Sequence, residues 1–279
     1  MTIFVPARFQ AILDQHLVFN FAEVSAWPLI LGVFGRPGDG KSFQIREHLR
    51  ARGVVPVGIN AADLESDRAG TPGKMILDLY EDAGHRIEEG ELAALVIDDF
   101  DTTVGEWAQS TTTVNHQQVL AQLMHLADTP SAAASKVIRR VPVILTGNDL
   151  GKIYPPLRRP GRMRTFAWLP TEEERVQVVT GILDTFLPPK DVPALVAALP
   201  EAPIAFFSDL RVELVAAVSG HEVVKHSADL RKLTNSATAR DAFRRAVTSA
   251  AGLPVADLSV LARNVWRDRT IATNSFIGS

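Results

Sequence analysis

There is no cysteine among the 279 residues, which removes disulfides and thiolate metal sites and fits a reducing compartment. Positive charge is not in excess either. Lys and Arg number 29 against 32 Asp and Glu, for a net charge of −3 and a pI of about 6.2. No basic field therefore argues for nucleic acid or an anionic membrane as partner. The apolar runs stop well short of the about 20 residues that a membrane helix needs. Residues 1–11 lack the basic start and apolar block of a secretory signal, so the expected location is the cytoplasm. No internal repeat or low-complexity stretch is evident. What is present is a hydrophobic content of 46%, ample for one large or two modest domains.

The most informative stretch is Gly35-Arg36-Pro37-Gly38-Asp39-Gly40-Lys41-Ser42, which fits GxxxxGK[ST] at every fixed position. Its glycines let the backbone curl until successive N–H groups and the next helix N-terminus point at phosphates. Lys41 is then expected against the β- and γ-phosphates of a nucleoside triphosphate, and the Ser42 hydroxyl on Mg²⁺, with Phe43 following. An apolar run over residues 29–34 leads in and a helical pattern over 41–52 follows, which is the strand, loop and helix order that such a loop requires.

Residues 6–20 read as a preceding helix, with Phe9, Ile12, Leu13 and Leu17 at helical spacing. Residues 54–59 suit a second buried strand, which Pro56 places near an edge or at a bulge. Helical spacing returns over residues 74–88 after a polar loop. A third strand, residues 92–97, closes on Asp98-Asp99-Phe100-Asp101. A buried strand ending in carboxylates delivers an acid rigidly to the rim of a sheet. There one carboxylate orients Mg²⁺ and its neighbour orients or deprotonates the attacking water. Asp98 and Asp99 fill those places, in an order the sequence leaves open.

Residues 114–127 read as a helix and residues 141–146 as another buried strand, which ends in Gly147-Asn148-Asp149. Asn148 at that tip is either an ordinary turn residue or, beside the acidic strand, a side chain that holds the lytic water. Arg158, Arg159 and Arg162 surround a Pro-Gly turn. They form either a solvated basic turn or arginines that project from a subunit edge into a neighbour's site.

A strand at about residues 164–168 precedes Thr171-Glu172-Glu173-Glu174, which has the form of a capping box. From there the chain is helical, and the composition shift marks a second, smaller all-α domain. The expected division is 1–170, 171–252 and a terminal helix and tail over 253–279. Within the helical part, Ser208 or Asp209 is the expected cap of a helix that carries Arg211.

Together these motifs identify the AAA+ ATPase class, and within it the chain resembles the Rubisco activase family. The resemblance rests on Gly40-Lys41-Ser42-Phe43-Gln44, Asp63-Leu64-Glu65-Ser66 with Ala69-Gly70, and Thr112-Thr113-Val114-Asn115. It continues through residues 143–149 and 154–164 and in Phe206-Phe207 with Leu210-Arg211, covering about residues 4–225. It implies an α/β core with a parallel five-stranded sheet flanked by helices, plus a smaller all-α lid. It also implies a ring homo-oligomer, a hexamer in the family, that uses ATP and Mg²⁺ to release inhibitory sugar phosphates from Rubisco.

By resemblance Arg159 and Arg162 are trans-acting fingers, and Arg211 is a sensor in the lid. Leu64, Glu65, Ser66, Asp67 and Arg68 match a first central-pore loop, and Glu106 and Trp107 fall in a second that begins at Asp101 and runs to Thr112, although Leu64 and Trp107 also read as packing residues. Family members usually carry Asn-Asp at the positions of Asp98-Asp99. The N-terminal extension of plant members and the small-subunit-like C-terminal domain of some cyanobacterial relatives have no counterpart in the sequence. The alternatives are an AAA+ ATPase acting on another protein, or a nucleic-acid-associated loader, which would need a basic stripe or an added DNA-binding domain.

Overall fold

The computed structural model describes residues 4–60, 71–103, 114–133, 136–227, 230–248, 258, 260–267 and 269. The chain divides into two compact units, one of Val5–Leu169 and one of Pro170–Ser279 with Met1–Phe4.

The first unit runs α1 (Ala7–Phe21), β1 (Ile30–Phe34), α2 (Lys41–Ala51), β2 (Val54–Asn60), α3 (Thr71–Glu88) and β3 (Leu92–Asp98). It continues with α4 (Phe100–Thr103), α5 (Val114–Asp128), the short hairpin β4 (Ala132–Ala133) and β5 (Lys136–Val137), β6 (Val143–Gly147) and β7 (Met163–Ala167). Five strands form one all-parallel sheet, as the family resemblance implied, and their order is β2-β3-β6-β1-β7. Pro56 is tolerated because β2 is an edge strand, paired only with β3.

Alternation along the three inner strands, β1, β3 and β6, explains why their runs are apolar throughout. Ile30, Leu95, Ile97, Val143 and Leu145 bury one face under Ile76 and Tyr80 of α3 and Leu120 and Leu123 of α5. Leu31, Val33, Val96 and Ile144 bury the other under Phe9 and Leu13 of α1 and Ile45 and Leu49 of α2. With both faces covered, no polar alternation survives. A parallel sheet also puts every strand's C-terminal end on the same rim, so the segments after β1, β3 and β6 meet there.

The second unit contains α6 (Glu172–Leu183), α7 (Val192–Ala197), α8 (Ile204–Ser227), α9 (Leu230–Asn235) and α10 (Ala237–Thr248). The capping box is present, with the Thr171 hydroxyl accepting from the Glu174 N–H and the Glu174 carboxylate accepting from the Thr171 N–H. Its core joins Val179, Leu183, Leu195, Phe207, Leu210 and Leu214 with Leu258 and Ala262. The expectation that Ser208 or Asp209 caps a helix is corrected: α8 begins earlier, at Ile204. Pro203 sets the entry, and burial of Ile204, Phe206, Phe207 and Leu210 carries the helix through the polar pair. Among the described residues no helix is long and apolar enough to cross a membrane.

A buried polar group ties α1 to the sheet. The fully buried His16 ring lies 3.1 Å, through Nε2, from the Val143 carbonyl and 3.3 Å, through Nδ1, from the Asn20 amide, and Asn20 in turn accepts from Arg140 Nε. Burial pushes the His16 pKa down to about 3; the Val143 bond opposes this, and the charges of Arg140 and Arg164 add to it. Because the folded state resists the proton that the unfolded chain accepts below about pH 6.5, this contribution is complete above that pH. It is lost as pH falls toward 3, by at most about 1.4 kcal/mol per pH unit. Denaturant unfolding at pH 7 and pH 5 should show this loss, and His16→Gln should make the two values converge.

Candidate functional site

Trp168 just after β7 and the start of α2 together fix the loop after β1. Gly40 sits at the helix N-terminus with φ of 75°, and Gly38 also adopts the left-handed region, at 79°, where glycine is favoured. No side chain caps α2, so its leading N–H groups are available to an anion. The Trp168 N–H donates to the Phe34 carbonyl at 2.6 Å, and its indole N–H donates to the Asp39 carbonyl at 2.9 Å. Gly35 passes so close beneath it that a Cβ would lie 2.1 Å from the Trp168 carbonyl oxygen. Phe9 packs edge-on to the Trp168 ring at 4.9 Å, which anchors the clamp in the core.

Lys41, 7% exposed, points back into this loop. Its ammonium donates to the Gly35 carbonyl, the Arg36 carbonyl and Asn148 Oδ1, each at 2.9 Å. Burial lowers its pKa, while the carboxylates of Asp39, Asp99 and Asp101 act in the opposite direction. Pro37, Gly38, Gly40, Lys41, Ser42, Phe43, Asp99 and Asn148 line one cavity of about 250 Å³. The sequence-predicted residues of the loop, the third strand and the Asn tip therefore meet in one place.

The two acids stand differently. Asp99 lines the cavity and adopts φ of 53°, a left-handed backbone uncommon outside glycine, while its N–H donates to Thr146 Oγ1 at 3.0 Å. Asp98 is buried behind it. It accepts from the Thr146 hydroxyl at 3.0 Å and from Arg46 of α2, one turn beyond Ser42. Ser42 Oγ lies 3.3 Å from that same Thr146 hydroxyl. The Ser42 hydroxyl and the Asp98 carboxylate are thus hard oxygen donors joined through one threonine, a set that suits Mg²⁺ with phosphate oxygens as the remaining ligands.

The arginine turn lies elsewhere. Met163 pairs with Ile30 at the beginning of β1, and the Ile30 N–H donates to the Arg162 carbonyl at 3.1 Å. The glycine-rich loop leaves the other end of that strand, about 15 Å away at the usual rise per residue. Arg162 is held in its own chain by a paired contact to Asp128 at 2.7 and 2.6 Å, which keeps the Asp128 carboxyl below its ordinary range. Arg159 is exposed, and among the described residues its side chain has no hydrogen bond or ion pair. Arg158 is half-buried, and its Nε has no hydrogen-bond partner among the described residues. Arg211 belongs to the second unit, where it donates to the Ile182 carbonyl at 2.7 Å and lies over the Phe186 ring. Leu64, Glu65, Ser66, Asp67, Arg68, Glu106 and Trp107 lie outside the described residues.

Residues 31–171 match the model of the AAA family, ATPases associated with various cellular activities. The chain belongs to the AAA family. Its similarity extends to the chloroplastic ribulose bisphosphate carboxylase/oxygenase activases of plants. It is 37% identical to that of Spinacia oleracea over 262 residues, covering 90% of this chain and 53% of the relative. For activase 1 of Nicotiana tabacum the identity is 39% over 221 residues, covering 76% and 50%, and for Arabidopsis thaliana it is 35% over 262 residues, covering 90% and 53%. The chain spans about half the length of these curated relatives.

Three residues of this AAA site, Arg46, Thr146 and Trp168, carry geometry that sequence reasoning did not assign, and a fourth, Asp101, was given to the start of the second pore loop, whereas it is buried against the tip of β6. Thr146 was legible only as the neighbour of a motif, and Arg46 only as the residue four positions after Ser42, on the same helix face. Trp168 carried no signal beyond ending a strand. Gly35→Ala forces a methyl group into the Trp168 carbonyl and should destabilise the chain by about 1–3 kcal/mol. Thermal unfolding without nucleotide checks this, and an unchanged Tm would mean that the loop is not clamped.

Proposed function

We propose that the chain is an AAA+ ATPase that works as a ring of identical subunits, a hexamer on the family resemblance, and remodels Rubisco to release bound sugar-phosphate inhibitors. One observation carries the ring: Lys41, Asp99 and Asn148 lie at one end of β1, and Arg159 and Arg162 at the other. An arginine so placed does not serve its own cavity, but it is well placed to serve that of a neighbour. The Rubisco target rests on the relatives that carry activase as their name.

In this reading Lys41 exchanges its carbonyl partners for the β- and γ-phosphate oxygens of ATP, and the α2 N–H groups and Gly38 and Gly40 cradle them. Mg²⁺, when bound, neutralises developing phosphate charge; Ser42 and Asp98 are the residues that would hold it. Asp99, the acid that faces the cavity, takes the proton of the attacking water while the oxygen bonds to the γ-phosphorus and the β–γ bridge breaks. Asn148 orients that water. Arg159 of one subunit stabilises the charge in the next, and Arg162 joins it by exchanging Asp128 for phosphate.

Arg211 senses the nucleotide from the helical unit as a lid, and the loops carrying Leu64 and Trp107 engage the target. The chain acts in the reducing compartment that holds the carboxylase, the cytoplasm where no plastid exists; the plant relatives are named chloroplastic. Nucleic acid and membranes are not expected as partners.

Arg159→Ala should lose ATP hydrolysis by at least 100-fold yet bind ATP normally, and Lys41→Ala should lose both. Mixing the two inactive variants should restore part of the activity, since one supplies the cavity and the other the arginine. Steady-state ATPase of the mixture decides this, and a mixture as dead as its components contradicts action in trans. For the target, ATP-dependent recovery of carboxylation by inhibitor-blocked Rubisco from the same organism, with Lys41→Ala as control, is the expected result. Brisk ATPase without recovery would move the target elsewhere.

A further inference from the structure

Asp101 follows the acidic pair by two residues and lies at the beginning of α4. By resemblance its place in the sequence is the first residue of the second pore loop. In the structure it is 3% exposed and turned inward, toward the tip of β6. One oxygen, Oδ2, accepts the main-chain N–H of Asn148 and that of Asp149, each at 2.9 Å. Asp149 then closes the next turn by accepting from the Gly151 N–H at 2.7 Å. The other carboxylate oxygen, Oδ1, is buried with no hydrogen-bond partner among the described residues. It lies against Gly147, where a Cβ would sit 2.9 Å from it and 2.8 Å from the Phe34 ring.

A carboxylate held in this way fixes the direction in which a peptide leaves the strand. Residues beyond a strand end have no ladder to hold them, and an ordinary turn leaves an Asn side chain several rotamers. Two charge-assisted bonds from one oxygen to consecutive N–H groups set the Asn148 backbone, and the Asn148 side chain then meets Lys41 at 2.9 Å. The same α4 segment follows directly on Asp99, so the acid facing the cavity and the amide facing it are referred to each other through Asp101.

We propose that Asp101 is a positioning residue for ATP hydrolysis, acting chiefly through Asn148: it aims the amide at the reacting water, has no contact with substrate of its own, and touches Lys41 only through the field of its charge. The proposal rests on the ATPase reading above. Retaining an unpartnered buried oxygen for this purpose is costly to the fold, which is why a purely structural role explains it poorly.

The test is a double-mutant cycle on MgATP hydrolysis by the full chain, with ATP binding measured separately by a fluorescent analogue. Asn148→Ala and Asp101→Ala should each lower kcat by about 10- to 100-fold and leave nucleotide affinity within about threefold. The double variant should be no slower than Asn148→Ala alone. Asp101→Asn keeps one acceptor oxygen without the charge and should recover part of kcat, which covers the case in which Asp101→Ala fails to fold. Gly147→Ala, which presses on Oδ1, should mimic Asp101→Asn.

Additive losses in the double variant, or a loss of affinity equal to the loss of kcat, would overturn the proposal while wild type still hydrolyses ATP. No hydrolysis by wild type would instead overturn the ATPase reading, and this proposal with it.

Discussion

A single buried ammonium constrains much of the first unit. Lys41 is inside the protein, and a charge there is tolerable only with acceptors arranged around it. Those acceptors come from Gly35, Arg36 and Asn148, two from a loop leaving β1 and one from the tip of β6. The two strands must therefore be neighbours and in register, as the pairing of Phe34 with Gly147 shows. The loop must also be tight, so Trp168 holds it from above and left-handed glycines turn it. Without nucleotide, removing any one acceptor leaves the ammonium short of a partner, so the loop, the clamp and the strand tip support one another there.

The same parallel sheet that gathers this site also separates it from the arginines. Strand polarity places the loop, Asp99 and Asn148 on one rim and the turn of Arg159 and Arg162 on the other. On the proposed reading, that separation makes hydrolysis a property of an assembly rather than of a chain. The contrast between Arg159, exposed, and Arg162, bound to Asp128, then distinguishes a cation already available from one that must first be released.

Much of this was legible in the sequence because it follows from short-range rules. The Gly35–Ser42 stretch, the acidic strand end and the capping box at Thr171 are local patterns whose geometry follows from residue type and spacing. Pro56 left an edge or a bulge open for β2, and the sheet has it at the edge. What escaped depends on contacts across the chain. Arg46 reaches Asp98 over 52 positions, Asp101 reaches Asn148 over 47, and Trp168 reaches Asp39 over 129; no periodicity encodes such pairings. The start of α8 was misplaced because Ser208 and Asp209 look like caps, whereas burial of the apolar residues before them decides the boundary.

The most direct test of the central claim, that a neighbour completes the catalytic site, is specific ATPase activity as a function of protein concentration, with sedimentation recorded on the same samples. The account predicts activity per subunit that is near zero where the chain is monomeric and rises in step with the assembled fraction. Activity per subunit that stays constant down to concentrations at which only monomers sediment would contradict it.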